Sequence, residues 1–155
     1  MMTFGKAATY QSEDKVQVMI SDDRRALTLA FSDLQISSGG SASAAPVATR
    51  AFAFVVPLEG DEKKVEIEFV VGGFVRTLEG ATATFVCSVN GQTVVADFPA
   101  NSDQSVQQKL AFAADTPSEC RLSVLLLGGA DSTKKASETF ANVLTIDAEI
   151  LPRIR

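Results

Sequence analysis

No histidine occurs in this sequence. Ser-His-Asp and Cys-His nucleophilic arrangements therefore cannot form, and neither can His-ligated zinc, copper or iron centres. Tryptophan is absent and Tyr10 is the single tyrosine. Sugar-binding faces commonly stack a flat exposed aromatic on the sugar ring, so a typical carbohydrate-binding module is disfavoured. There is no GxxxxGK[ST] loop and no GxGxxG opening a helix, which removes the two common nucleotide cradles. The longest apolar runs, residues 51–58 and 122–130, are strand-sized and far short of the roughly 18–20 residues of a spanning helix. Insertion into a membrane is not expected. Residues 1–10 have no apolar h-region, so no secretory leader is expected there; a leader already removed stays open. Asn90, Asn101 and Asn142 all lack the Ser or Thr that an N-glycosylation site needs two residues on.

What is present describes one domain. The 155 residues can bury a core without disulfide or metal staples, and 46% hydrophobic content is in the normal globular range. The formal charge of -5 has the wrong sign for a phosphate-backbone binder, so no nucleic-acid partner is expected. The doublets Arg24-Arg25, Lys63-Lys64 and Lys134-Lys135 are scattered and read as solvated loop tips.

Period-2 alternation rich in β-branched residues runs through the chain. Val16, Val18 and Ile20, then Leu27, Leu29 and Phe31, predict a hairpin. Residues 51–56 are apolar on both faces, as a central or covered strand is. Val65, Ile67, Phe69 and Val71 alternate with Glu66, Glu68 and Val70, and Gly72-Gly73 is expected to break or bulge that strand. Asn90-Gly91 between two alternating runs predicts a two-residue type I′ turn. That turn sets Val89 opposite Gln92, Cys87 opposite Val94, Phe85 opposite Ala96 and Ala83 opposite Phe98. Val86 and Val95 then stand as apolar exceptions on the outward face. Residues 105–113 fit a short helix or a strand, and the strand is preferred. Cys120, Leu122, Val124 and Leu126 share a face, with Leu125 and Leu127 opposite. Leu144, Ile146, Ala148 and Ile150 form the inward face of the last strand.

With about eight or nine strands, polar turns and no crossover helices, the expected architecture is an antiparallel two-sheet β-sandwich. It would be immunoglobulin-like or jelly-roll-like, with a β-barrel as the alternative. It spans 1–155 as a single domain, with a flexible segment at 1–14 and a mobile loop at 37–46.

Four sets of residues could carry chemistry. Glu66 and Glu68 lie on one strand face about 7 Å apart, loosely within the range of a hydrolase carboxylate pair, and Asp147 and Glu149 repeat the pattern. The simpler reading is the solvated side of a half-buried strand. Asp97, Asn101 and Asp103 cluster around one loop and Asp22 and Asp23 around another. Calcium needs only oxygen ligands and could sit there, although turns favour Asp and Asn regardless. No other cofactor is implied. Cys87 and Cys120 both point to the core. They could bridge if their strands face each other across the sandwich, or stay as buried thiols. Finally, Val86, Val95, Leu125 and Leu127 give more apolar surface than a half-solvated sheet needs. They are either covered or form an interface with a protein partner or a second copy.

Residues 21–31 (SDDRRALTLAF) and 73–81 (GFVRTLEGA) resemble a family of secreted β-sandwich proteins of unknown function. Together they frame about half the chain, 21 to 91. The family's cysteine-bearing strand is not matched, since residues 51–56 hold no Cys. The resemblance implies a sandwich and slightly favours an extracellular or cell-surface location over the cytoplasm. It implies no activity and no site residues. The resulting expectation is a non-catalytic module that works by protein–protein contact, through self-assembly or docking. A calcium-assisted or carbohydrate-binding module and a carboxylate-pair hydrolase stand behind it.

Overall fold

The computed structural model describes residues 2–5, 9–11, 16–39, 46–60, 64–115 and 119–151. Among them are twelve strands and no helix: β1 (Thr3–Phe4), β2 (Thr9–Gln11), β3 (Val16–Ile20), β4 (Ala26–Phe31), β5 (Gln35–Gly39), β6 (Val47–Glu59), β7 (Lys64–Leu78), β8 (Thr82–Val89), β9 (Gln92–Phe98), β10 (Asp103–Asp115), β11 (Glu119–Gly129) and β12 (Glu138–Ile150). They form two antiparallel six-stranded sheets. The first runs β1-β6-β11-β8-β9, with β2 also on β6. The second runs β10-β7-β12-β4-β3, with β5 also on β12. The fold is therefore the expected sandwich and not a single closed barrel.

Alternation decides which side chains meet between the sheets. On β6 the even residues Phe52, Phe54, Val56 and Leu58 are buried, and on β7 the odd residues Val65, Ile67, Phe69 and Val71. Phe31 of the second sheet meets Phe52 of the first edge-on, with ring centroids 4.7 Å apart. The core is one continuous cluster, as the contact between two apolar sheet faces requires.

The β8–β9 hairpin has the expected register, from Val89↔Gln92 to Ala83↔Phe98. Asn90 and Gly91 take φ values of 48° and 86°, as a type I′ turn demands. Asn90 does more than turn the chain. Its Nδ2 donates to the Glu119 carbonyl at 3.2 Å, and its Oδ1 accepts the Arg121 amide at 2.7 Å. The turn is thereby tied to the start of the neighbouring strand β11.

Several elements differ from the sequence-based expectation. In the segment expected to be flexible, Met2 and Phe4 are buried at 2% and 0% exposure, and β1 pairs with β6. Residues 1, 6–8 and 12–14 of that segment lie outside the described residues. Of the expected mobile loop at 37–46, residues 37–39 belong to β5, which pairs with β12 and buries Ser38; residues 40–45 lie outside the described residues. These strands are short and polar. Pairing holds them, so alternation does not reveal them.

Leu144 is the third departure. It is 52% exposed and not on the inward face with Ile146. A bulge between Val143 and Thr145 inserts it, and two successive residues then point outward, which inverts the phase of β12 upstream. Thr139, Ala141 and Val143 fill the inward positions there. The bulge anticipated at Gly72-Gly73 thus belongs to the strand opposite, while β7 itself runs unbroken.

Arg24 and Arg25 are not a solvated tip. Arg24 Nε donates to the Phe4 carbonyl at 2.8 Å, and Arg25 Nη1 donates to the Met2 carbonyl at 3.0 Å. Arg25 also reaches the carbonyls of Ile150 and Leu151. The doublet therefore fastens Met2, Phe4, Ile150 and Leu151 to the β3–β4 turn.

Candidate functional site

The outer face of the first sheet collects the doubly apolar strands. Ala51 pairs with Leu125, Leu125 with Val86, and Val86 with Val95, so these residues form one row across four strands. Leu127 lies on the next row, beside Thr49 and Thr84. Residues directly opposite on one face have Cβ atoms about 5 Å apart, so this row is contiguous apolar surface. Val95 is 55% exposed, and Val86, Leu125 and Leu127 are half-buried. Among the described residues no strand packs on this face; every strand of the first sheet belongs to a single layer. The four residues expected to form an interface are brought together.

The outer face of the second sheet rearranges the carboxylates. Glu68 stands directly opposite Glu149 on the β7–β12 pair, and Asp147 lies two residues from Glu149 on the same face. Thr28 donates its hydroxyl to Asp147 Oδ1 at 2.7 Å. With Ala26 and Val70 these residues line a shallow depression of about 160 Å³. Glu66, two residues from Glu68 on the same face of β7, stands opposite Ala113 on β10. The pairs expected along single strands, Glu66 with Glu68 and Asp147 with Glu149, are thus joined by a cross-strand pair that depends on strand order. The row Ala111–Glu68–Glu149–Ala26 carries no cation, and like charges placed opposite each other lower sheet stability.

The loop acids are distributed differently. Asp97 is on the outward face of β9, where its Oδ1 accepts the Thr84 hydroxyl at 2.8 Å. Asp103 opens β10 in the other sheet, opposite Arg76. Asn101 occupies the connecting turn at φ 65°. That turn is clamped by buried Thr77, whose hydroxyl donates to the Pro99 carbonyl at 2.6 Å and accepts the Ser102 amide at 2.9 Å. Among the described residues no three Asp, Glu or Cys side chains converge as a metal set. Asp23 Oδ1 accepts the Ser21 hydroxyl and the Arg25 amide, and these bonds hold its carboxyl below the usual carboxylate range. Asp22 is exposed in the same turn.

Cys87 and Cys120 are both buried and free. Their strands, β8 and β11, are neighbours in one sheet and do not face each other across the core. Cys87 pairs with Val124, four residues along β11 from Cys120. That offset is roughly 13 Å at strand rise, well beyond the roughly 7 Å Cα limit of a disulfide. Of the two readings of the cysteines, the geometry selects the buried thiols. Burial pushes the Cys87 thiol up to about 11, and burial with the Glu119 charge pushes Cys120 up to about 12. Neither thiol is therefore expected to react with Ellman's reagent at pH 8 in the folded chain, while both react in guanidinium. The unfolded chain loses these protons near 9 and the folded chain keeps them, so stability falls as pH rises past that value. A reactive thiol in the native state, or a stability that rises on that limb, would contradict this burial.

Two outward aromatics escaped the sequence reading. Phe74 and Phe140 stand half-buried on the outer face of the second sheet, near the bulge. The even number of Phe74, on a strand whose odd residues point inward, was the available signal.

No family model matches the chain, and no curated protein matches it. Its backbone is similar to part of dimeric latent PorU from Porphyromonas gingivalis, at 15% identity and a TM-score of 0.44, over 96% of this chain and 14% of that one. It is similar to TmCBM61, solved in complex with beta-1,4-galactotriose, at 10% identity and a TM-score of 0.38, over 92% and 90% of the two chains. It is also similar to the CBM22-1 xylan-binding domain of Xyn10C from Paenibacillus barcinonensis, at 13% identity and a TM-score of 0.23, over 99% and 95%. At these TM-scores the likenesses carry no argument about this chain.

Proposed function

We propose that this chain is a non-catalytic β-sandwich module that works by protein–protein contact through the outer face of its first sheet. One observation carries the reading: Ala51, Leu125, Val86 and Val95 fall on a single cross-strand row, with Leu127 on the next. A sheet face turned to solvent normally alternates to polar residues at these positions. Here the apolar residues are adjacent, and a contiguous apolar patch on a sheet face is what contact surfaces use.

The test is Leu125→Lys and Leu127→Lys, alone and together. Association of the chain is followed by light scattering, and folding by thermal melting. The expected result is weakened association with little change in melting temperature, since both side chains lie outside the core cluster. If the chain associates and these variants change neither its association nor its melting temperature, the reading fails. Millimolar calcium is included in parallel. Association or melting that depends on calcium and is reversed by chelator would favour the acidic loops instead.

A further inference from the structure

We propose that this chain also pairs edge to edge with a second copy of itself, by antiparallel pairing of β9 with β9 about a two-fold axis at Val95. This rests on the reading above only in that the chain works by protein–protein contact; the pairing lies at the sheet edge where the apolar row ends, and not on the face itself.

The argument begins with backbone groups. β9 ends the first sheet and, among the described residues, pairs only with β8. In a two-residue hairpin the pair flanking the turn, here Val89↔Gln92, exchanges both hydrogen bonds, and such pairs alternate along the ladder. Gln92, Val94, Ala96 and Phe98 therefore bond to β8. Thr93, Val95 and Asp97 aim their N–H and C=O groups away from it, at the open edge.

That edge is unguarded. Proteins blunt free strands with Lys, Pro, bulges or short length. Gln92–Phe98 (QTVVADF) has no Lys, Arg, Pro or Gly, and its register with β8 is unbroken. The opposite edge of the same sheet is closed by strands of two and three residues. Of the second sheet's edges, β10 carries Lys109 and terminal aspartates, and β3 is only five residues long.

The sequence of β9 is also complementary to itself. A two-fold axis at Val95 sets Val95 against Val95, Val94 against Ala96, and Thr93 against Asp97 of the second copy. All three outward-bonding residues then find partners, for about six backbone hydrogen bonds. The Thr93 hydroxyl can donate to the Asp97 carboxylate. An axis at Asp97 would oppose two carboxylates. An axis at Ala96 would set Thr93 against Pro99, which has no N–H, and one at Val94 would set Asp97 against Gly91 in the turn. Only the Val95 axis joins the two rows, so that Leu125, Val86 and Val95 continue directly into Val95, Val86 and Leu125 of the second copy.

The full chain is measured by light scattering and sedimentation equilibrium, and the expected mass is twice 16.4 kDa. Thr93→Pro removes an edge-facing N–H without touching the β8 ladder, and it should return the mass to that of one chain with the β-sheet circular dichroism kept. Thr93→Glu faces Asp97 of the second copy and should weaken association at least about tenfold, and Thr93→Glu with Asp97→Lys should restore it. The charge-swap pair decides the matter even if the proline variant does not fold. A chain that stays a monomer up to about millimolar concentration overturns the pairing but leaves contact with a different protein standing. Association that survives Thr93→Pro yet is lost in the Leu125→Lys and Leu127→Lys variants overturns the edge and supports contact through the face. Failure of the double variant to restore what Thr93→Glu removes overturns the Val95 axis.

Discussion

Replacing Phe4 with alanine lowers the unfolding free energy by about 3–5 kcal/mol, the range of a fully buried phenylalanine. The side chain is 0% exposed and belongs to the core cluster. Its strand is only two residues long, so the ladder to Leu58 and Glu59 contributes little by itself. The segment is held by what surrounds it. The Phe4 amide donates to the Arg24 carbonyl at 2.7 Å, Arg24 Nε returns a bond to the Phe4 carbonyl, and the Gly5 amide donates to the Pro57 carbonyl at 2.7 Å. Removing the ring leaves either a cavity or a detached segment that exposes the core beneath it. Both outcomes cost stability, and the urea m-value separates them. It is unchanged if the segment stays docked and falls if the native state has already released it. Thr3→Ala is the control, because Thr3 is only half-buried and lies outside the core; it should cost no more than about 0.5 kcal/mol. A Phe4→Ala midpoint close to that of Thr3→Ala would mean that the amino-terminal strand merely decorates the sandwich.

The Phe4 case shows what the sequence makes legible and what it hides. Where a turn sets register, local reading reaches far. Asn90-Gly91 determines every pair from Val89↔Gln92 to Ala83↔Phe98, and with it the outward positions of Val86 and Val95. The candidate contact face was visible for that reason. Features that depend on which strands are neighbours were not. The distance between Cys87 and Cys120 follows from β8 and β11 being adjacent in one sheet. The Glu68–Glu149 pair follows from β12 lying beside β7, although the two residues are 81 positions apart in sequence. Short elements held by remote partners are hidden for different reasons: β1 has only two residues, and β5 (QISSG) has a single large apolar residue, so neither displays a hydrophobic period. Leu144 was misplaced for a subtler reason. Alternation extrapolates through a bulge with the wrong phase, and nothing within β12 itself marks the inserted residue.

The same bulge gives the second large effect, at Gly73 of β7. A Cβ built on Gly73 would lie 2.0 Å from the Asn142 carbonyl oxygen and 3.2 Å from the Val143 Cα. Both are backbone atoms, so no rotamer change relieves the clash. The close approach arises because β12 bulges at Leu144, directly after Asn142 and Val143, and presses its backbone toward β7. Asn142 also spends its side chain there, since its Oδ1 accepts the Phe74 amide at 2.9 Å. Alanine at position 73 must therefore move one central strand against another. The expected cost is about 3 kcal/mol, at the upper end of ordinary overpacking, or a fall in melting temperature of about 6–12 °C for a domain of this size. Gly72→Ala is the paired comparison. Its Cβ would meet the Thr145 hydroxyl at 3.2 Å, a side-chain atom that can rotate aside, and the Thr145 carbonyl oxygen at 3.8 Å, an ordinary van der Waals contact. That substitution should cost less than about 1 kcal/mol, because a strand interior accepts alanine more readily than glycine. The two glycines are adjacent in sequence and share a strand, so propensity alone predicts equal effects. A large gap between them is the signature of the bulge opposite, and equal melting temperatures would mean that β12 does not press on β7 at this point.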